Sequence, residues 1–251
     1  MPASAELQQL TGKADLHIHT TYSDGTASVR EVLAHVAART GLRLIAITDH
    51  DAIAGALEAR RLAPQFGLEA IVGQEVSTAE GHLLALFITS LLPPGRPAAE
   101  TIAAAHAQGG LCIAPHPFDT AVPSLGCAGL CERYASGEWP IDAIEGLNGA
   151  VMWPRRGSNL VAQQCARDLQ LPTTGGSDSH TLATIGVGYT LFDGASADDL
   201  YRAIRAGRTT WGGRCWGAFQ YLDLIRRWVR QRSLRGALRL AMSGGALPLQ
   251  H

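Results

Sequence analysis

The chain has 251 residues, 46% of them hydrophobic and 17% charged, enough to bury one large core or one core with a small appendage. Its formal net charge is −1, so nothing global fits it for coating long nucleic acids. No run reaches the roughly 18 uncharged apolar residues of a membrane-spanning helix. Met1 to Leu10 also lacks the basic-then-apolar pattern of a signal peptide, and the expected location is the cytoplasm.

In chain order, Ala14 to Ile18 is predicted as a strand that runs into a histidine pair. Ser28 to Thr40 is predicted as a helix, since Ser28 and Glu31 have capping-box spacing ahead of Val32, Leu33 and Val36. Leu44 to Thr48 is a short apolar strand ending in Asp49 and His50, and a helix follows through Ala59. Ala70 to Glu75 and His82 to Ile88 are the next strands. Leu91 to Pro97 is a rigid loop, and Ala98 to Gln108 a helix. A strand at Leu111 to Ala114 leads into Pro115, His116 and Pro117. Then come a strand at Ile141 to Ile144, a helix over about Ser158 to Leu169, and a strand near Pro172 to Thr174. This alternation is the signature of parallel β-α units closing into a barrel or distorted barrel. Polar residues with metal chemistry cluster at strand C-termini, where such barrels place their sites.

From about Trp216 the character changes, and the chain divides into a domain over 1–215 and an extension over 216–251. Tyr221 to Leu240 is helical in pattern, its apolar positions interrupted by Arg226, Arg227, Arg230, Arg232, Arg235 and Arg239. Packing on the barrel with a solvated basic face is the plain expectation. Attachment to an anionic membrane surface or a partner is the sharper one. The cysteines Cys112, Cys127, Cys131, Cys165 and Cys215 are expected as free thiols. Cys127 and Cys131 have zinc-like spacing but no second pair nearby.

Of the nine histidines, His35 and His106 lie within helices and His251 is terminal, so these are expected to be structural. The other six sit at strand ends beside carboxylates or turn residues. His17 and His19 are two apart on a strand and share a face. Ser23-Asp24-Gly25 can return a carboxylate to the same place. His50 follows Asp49 and precedes Asp51, which suit outer support or helix capping. Glu75 ends one strand and His82 opens the next. His116 is held between two prolines of fixed φ, and Asp178 and His180 close the set. Six His, two Asp and one Glu exceed one tetrahedral zinc site. They suit two or three borderline cations (Mn, Fe or Zn), whose N/O clusters mainly serve hydrolysis of phosphate esters or amides.

The ordered motifs D-x-H-x-H-T, S-D-G, T-D-H-D, G-x-E-x-S-T, H-L-L, A-P-H-P and G-S-D-S-H-T run from about Ala14 to Arg208. They resemble the PHP (polymerase and histidinol phosphatase) family, and within it small bacterial nucleotide phosphoesterases. The resemblance implies a distorted seven-stranded β/α barrel with a trinuclear site at its C-terminal rim. It implies a first ion held by His17, His19, Glu75 and Asp178. Glu75 would bridge to a second on His82 and His116, with Asp24, His50 and His180 holding a third. Two departures stand out: a short connection between His82 and His116, where relatives often carry a long insertion, and a proline inserted before His116.

The expected function is hydrolysis of small phosphomonoesters, such as 3′,5′-bisphosphonucleotides or oligonucleotide ends, by a metal-bridged hydroxide, with Glu75, Asp178 and His116 as the catalytic residues. Duplex nucleic acid is not an expected partner. Arg155 and Arg156, just before a helix, and Asn148 are candidates to bind the phosphate. One alternative is an amidohydrolase-type reaction, although Lys13, the only lysine, precedes the first strand. Another is a metal-loaded regulatory or membrane-docking module.

Overall fold

The computed structural model describes residues 10–151, 157–226 and 229. Its strands are β1 (Gly12–Asp15), β2 (Leu44–Ile47), β3 (Glu69–Ser77), β4 (His82–Leu86), β5 (Leu111–Ala114), β6 (Ala143–Asn148), β7 (Thr173–Gly176), β8 (Gly188–Phe192) and β9 (Thr210–Gly213). The helices of the same unit are α1 (Val29–Arg39), α2 (Ala54–Leu62), α3 (Ala98–Ala107), α4 (Leu130–Ala135), α5 (Gly157–Asp168) and α6 (Ala197–Arg205). Residues 1–216 form one compact unit and 217–251 a second. The division falls after Trp216, not before it, because that residue is buried in the first unit. Its indole N–H donates to Ser177 O at 2.9 Å and its backbone N–H to Gly149 O at 2.7 Å.

All nine strands join one sheet in the order β7-β6-β5-β4-β3-β2-β1-β8-β9. At the rim the ring closes between β1 and β7: Ile18 and Ser179 form a parallel bridge, and His19 N–H donates to Ser179 O at 2.8 Å. Seven strands therefore surround the rim, as expected. β8 and β9 are additional, and β8 pairs antiparallel with the start of β1. The expectation of purely parallel units fails at β4, which is antiparallel to both β3 and β5. That reversal brings His82, at the start of its strand, to the same rim as residues at the ends of the others.

Two cores explain the strand composition. In β2 every residue is buried: Leu44 and Ala46 join an interior cluster with Leu84, Leu86 and Ile113, while Ile45 and Ile47 pack under the outer helices. Sheets covered on both faces need such continuous apolar runs. α6 packs Leu200, Ala203 and Ile204 into the interior cluster. Arg205 pairs with Asp142 at 3.0 Å, just before β6, so α6 covers the end opposite the rim. His106, expected to be structural, bonds the same Asp142 at 2.8 Å.

α1 begins as predicted. Ser28 caps it and Glu31 returns a carboxylate oxygen to Ser28 N at 2.8 Å. Ser28→Ala is expected to cost about 1 kcal/mol and to lower the thermal midpoint by roughly 2–4 °C, read by calorimetry. An unchanged midpoint would show that the box contributes nothing. The expectation of free thiols needs correction for one pair: Cys131 on α4 and Cys165 on α5 are joined as a disulfide, while Cys112 is a buried free thiol. Packing of two helices 34 positions apart made that pair, and linear spacing does not reveal it.

Candidate metal centre

Simple alternation delivers part of the set. In β3, Ile71 belongs to the interior cluster, so period two points Glu75 inward at the rim. In β4, Leu84 and Leu86 are interior, and the same period points His82 inward. Continuing β2 from Leu44 and Ala46 by twos reaches Thr48 and His50.

The remaining ligand candidates need a break in the alternation. Leu16 is interior, yet Ile18 belongs to the outer core, so the pattern reverses between them and His17 and His19 turn inward together. His116 and Asp178 sit at φ 29° and 50°, conformations that side-chain-bearing residues rarely adopt. Such strain persists only where surroundings enforce it, and it gathers at functional sites. For His116 the enforcement is visible: its N–H donates to Glu145 Oε2 at 2.8 Å.

Glu75 is the centre of the arrangement, 1% exposed. Its Oε2 lies 3.0 Å from His17 Nε2, 3.2 Å from His19 Nε2 and 3.4 Å from His50 Nδ1. Its Oε1 lies 2.9 Å from His82 Nδ1 and 3.0 Å from His116 Nε2. Asp178 Oδ1 is 3.3 Å from His19 Nε2 and 3.6 Å from His17 Nε2. At the outer edge, His180 Nε2 is 3.1 Å from Asp24 Oδ2. The nine candidates come together at one rim.

They group as His17, His19 and Asp178; His17, Glu75 and His116; His50, Glu75 and His82; and His19, Asp24, His50 and His180, each with ligand atoms within 4.8 Å of one another. These groups overlap at His17, His19, His50 and Glu75 and differ from the expected partition. His82 and His116 fall in separate groups around Glu75, and His50 belongs to two.

A test of fit to cations lies in the buried nitrogens. His19 Nδ1 and Nε2 and His82 Nδ1 have no hydrogen-bond partner among the described residues, although Glu75 oxygens lie within 3.2 Å of His19 Nε2 and His82 Nδ1 and an Asp24 oxygen 3.7 Å from His19 Nδ1. The atoms are close but not aligned as donor and acceptor. Nitrogen and oxygen lone pairs aimed at shared space are what a cation requires, and an orphaned buried polar group calls for such a partner. The donor set, imidazole and carboxylate without thiolate, fits borderline divalent ions.

The electrostatics follow from this crowding. Burial alone would raise the carboxyls of Glu75 and Asp178, but the imidazoles, His17 foremost, hold both well below their ordinary range. Burial lowers an imidazole, yet the adjacent carboxylates of Asp178 and Glu75 push His19 up to about 10. His50, at the more open side, is lowered by its burial.

A supporting layer holds these groups. Glu145, at the interior of β6 and missed in the sequence, takes His17 Nδ1 at 3.1 Å, His116 N–H and Asn148 Nδ2 at 2.9 Å. The available signal was a carboxylate inside an otherwise apolar strand. Gly176 makes room for it: a Cβ there would lie 2.6 Å from His17 Cβ and 2.5 Å from Glu145 Oε1. Asp49 accepts from Thr20 N and Ser23 Oγ, both at 2.7 Å, and shapes the loop carrying Asp24. Asp51 accepts from Ser77 N at 2.8 Å. Asp15 accepts from Ser177 N and Gly186 N, while burial pushes its carboxyl up to about 6.

Asn148 differs from its expected place. It is buried, and its amide nitrogen donates to Glu145 and, at 3.1 Å, to Asp178. A register shift between Glu145 and Leu147 turns it inward, where it braces Asp178 instead of meeting a phosphate. Arg155 and Arg156 lie outside the described residues.

Comparison with known proteins places these features. The PHP domain family model matches residues 15–123 and the PHP-associated family model residues 156–209. An uncharacterised protein of Methanocaldococcus jannaschii is 41% identical over 125 residues, 45% of this chain and 72% of that one. A 3′,5′-nucleoside bisphosphate phosphatase of Chromobacterium violaceum is 37% identical over 84 residues, 34% of this chain. The match spans only 29% of that enzyme. A two-domain crystal structure from Bacteroides vulgatus, containing a predicted PHP-like metal-dependent phosphoesterase, superposes with a TM-score of 0.65. It covers 88% of this chain and 71% of that one at 22% identity. On its motifs, its barrel and its rim of imidazoles and carboxylates, the chain belongs to the PHP family of metal-dependent phosphoesterases.

Proposed function

We propose that the chain hydrolyses small phosphomonoesters, with 3′,5′-bisphosphonucleotides or oligonucleotide ends as the preferred class. The cofactors would be two or three divalent cations of the Mn, Fe or Zn type. The observation that carries this reading is Glu75, both of whose oxygens are met by imidazoles from five different positions. A carboxylate so placed is suited to bridge two cations. His17, His19, Asp24, His50, Glu75, His82, His116, Asp178 and His180 would hold them. Bound there, the cations would lower the pKa of a water and clamp the phosphoryl oxygens.

The residues of the chain do the rest by position. Glu145 orients His17 and His116, and Asn148 braces Asp178. Asp24 is 44% exposed and His50 28%, while Glu75 is buried, so substrate enters over Asp24 and His50. Much of the short connection between His82 and His116 is spent on α3, whose Ala98, Ile102 and Ala105 pack into the outer core. With phosphate as the main handle, little binding energy comes from the rest of the substrate, and selectivity among small phosphomonoesters is low. The bisphosphate phosphatase relative supports a nucleotide as the best of them. An amidase reading is not favoured, because Lys13 sits 5.0 Å over the Tyr189 ring in the β1–β8 pair, away from the rim.

The test is phosphate release with Mn²⁺ across mononucleotides, 3′,5′-bisphosphonucleotides, oligonucleotides, duplex ends and sugar phosphates, beside an amide panel. Turnover of several phosphomonoesters, led by the bisphosphonucleotides, is expected. A single non-nucleotide substrate preferred by orders of magnitude, or amide cleavage alone, would overturn the reading.

A further inference from the structure

Asp178 is held in left-handed backbone at φ 50°, which residues with a side chain avoid because Cβ crowds the following carbonyl. Whatever enforces that conformation also aims the Asp178 carboxylate. The angle φ depends on where the peptide entering Asp178 lies, and Ser177, which begins that peptide, is fixed at both ends. Its N–H donates to Asp15 Oδ1 at 2.9 Å, and its carbonyl accepts the indole N–H of Trp216 at 2.9 Å. On the far side of Asp178, Ser179 N–H donates to His17 O at 3.2 Å.

Trp216 is well placed to act as a clamp. It is 2% exposed, and its own N–H donates to Gly149 O at 2.7 Å. A Cβ on Gly149 would lie 2.7 Å from Ser177 O, so the same carbonyl is confined by the glycine as well as by the indole. The indole also stands edge-on to the His180 ring, with centroids 6.3 Å apart and planes at 75°, a geometry that aromatic rings prefer. His180 in turn stacks on His19 with centroids 4.3 Å apart. A buried indole N–H needs some acceptor, and packing alone would be served by any carbonyl. Here the acceptor is the one that leads into the left-handed residue.

We propose that Trp216 is a positioning residue of the metal centre. Its N–H fixes the Ser177 carbonyl, and through it the backbone of Asp178, while its ring edge orients the His180 imidazole. It touches no cation itself and acts by holding two ligands in place, as outer partners of metal ligands do. The inference rests on the reading of Asp178 and His180 as ligands.

The experiment is Mn²⁺ binding to the full chain after chelation, with free Mn²⁺ counted by electron paramagnetic resonance. Trp216→Phe keeps an aromatic ring and removes the donor. It is expected to weaken at least one Mn²⁺ by about 10–100-fold. The melting midpoint should fall by no more than roughly 2–4 °C, the effect of one lost hydrogen bond. A purely structural indole would lower the midpoint and leave affinities measured well below it unchanged, and that result would overturn the inference. If Trp216→Phe melts much earlier, Gly149→Ala gives the second reading, since its Cβ displaces the same carbonyl while the indole stays. A similar loss of affinity is expected there, and wild-type affinity would overturn the inference. Asp178→Asn separates the two readings. Full Mn²⁺ content in that variant would sink ligation by Asp178 and the inference with it. Loss of Mn²⁺ there, beside wild-type affinity in Trp216→Phe, would sink the role of Trp216 alone.

Discussion

Glu75→Gln is expected to remove more than one equivalent of cation from the purified protein and to abolish turnover. The substitution keeps the size of the side chain and removes the charge, so loss of metal reports on ligation and not on a cavity. It should be destructive because both carboxylate oxygens are engaged, Oε2 toward His17, His19 and His50 and Oε1 toward His82 and His116. One ligand shared between ions takes both down when it fails. Glu145→Gln is the comparison, since Glu145 holds His17 and His116 from behind. Losing such an outer partner typically costs about 10–100-fold in metal affinity or activity, with the cations still detectable. Metal analysis beside kinetics separates the two. An active Glu75→Gln protein with full metal content would refute the bridging role.

The second large effect is on metal removal and its coupling to protons. Chelation should eliminate activity, and Mn²⁺, Fe²⁺ or Zn²⁺ should restore it, with two or three equivalents bound at saturation. Refilling should acidify a weakly buffered solution. In the cation-free site the carboxylates around His19 push its imidazole up to about 10, and His17 and His116 are raised as well. A proton held on His19 at neutral pH is one that a cation must displace. Affinity therefore strengthens as pH rises toward those raised values and weakens as it falls. Proton release measured during titration with metal, and dissociation constants across neutral pH, check the sign. Full turnover in metal-free protein, or metal affinity that improves on acidification, would contradict the reading.

The nine candidate ligands were legible in the linear sequence because their residue types gather at strand ends, and part of the rim is built by period. Alternation from apolar strand residues carries His50, Glu75 and His82 to the inner face without knowledge of the fold. The helix start at Ser28 was equally local, since a capping box closes within four residues. The family motifs added the ring of seven strands around the site.

Other features were set by contacts distant in sequence. The reversal of β4 depends on pairing with β3 and β5, and nothing in His82–Leu86 records strand direction. The inward turns of His116 and Asp178 depend on left-handed backbone that the fold enforces, at His116 through Glu145. Glu145 itself went unrecognised because a lone carboxylate in an apolar strand acquires its partners only when β1, β5 and β6 meet. Asn148 had looked available to a phosphate, but a register shift committed its amide to Glu145 and Asp178. Strands β8 and β9 and helix α6 were also missed: their segments are short, and α6 is stabilised by the interior cluster it covers. The sequence by itself therefore determined which side chains are candidates for the chemistry and that His50, Glu75 and His82 lie on the inner face of their strands, because those are matters of residue type and period two. Only the tertiary structure decided how the ligands group around Glu75 and which buried groups brace them, because those depend on distances between strands far apart in the chain.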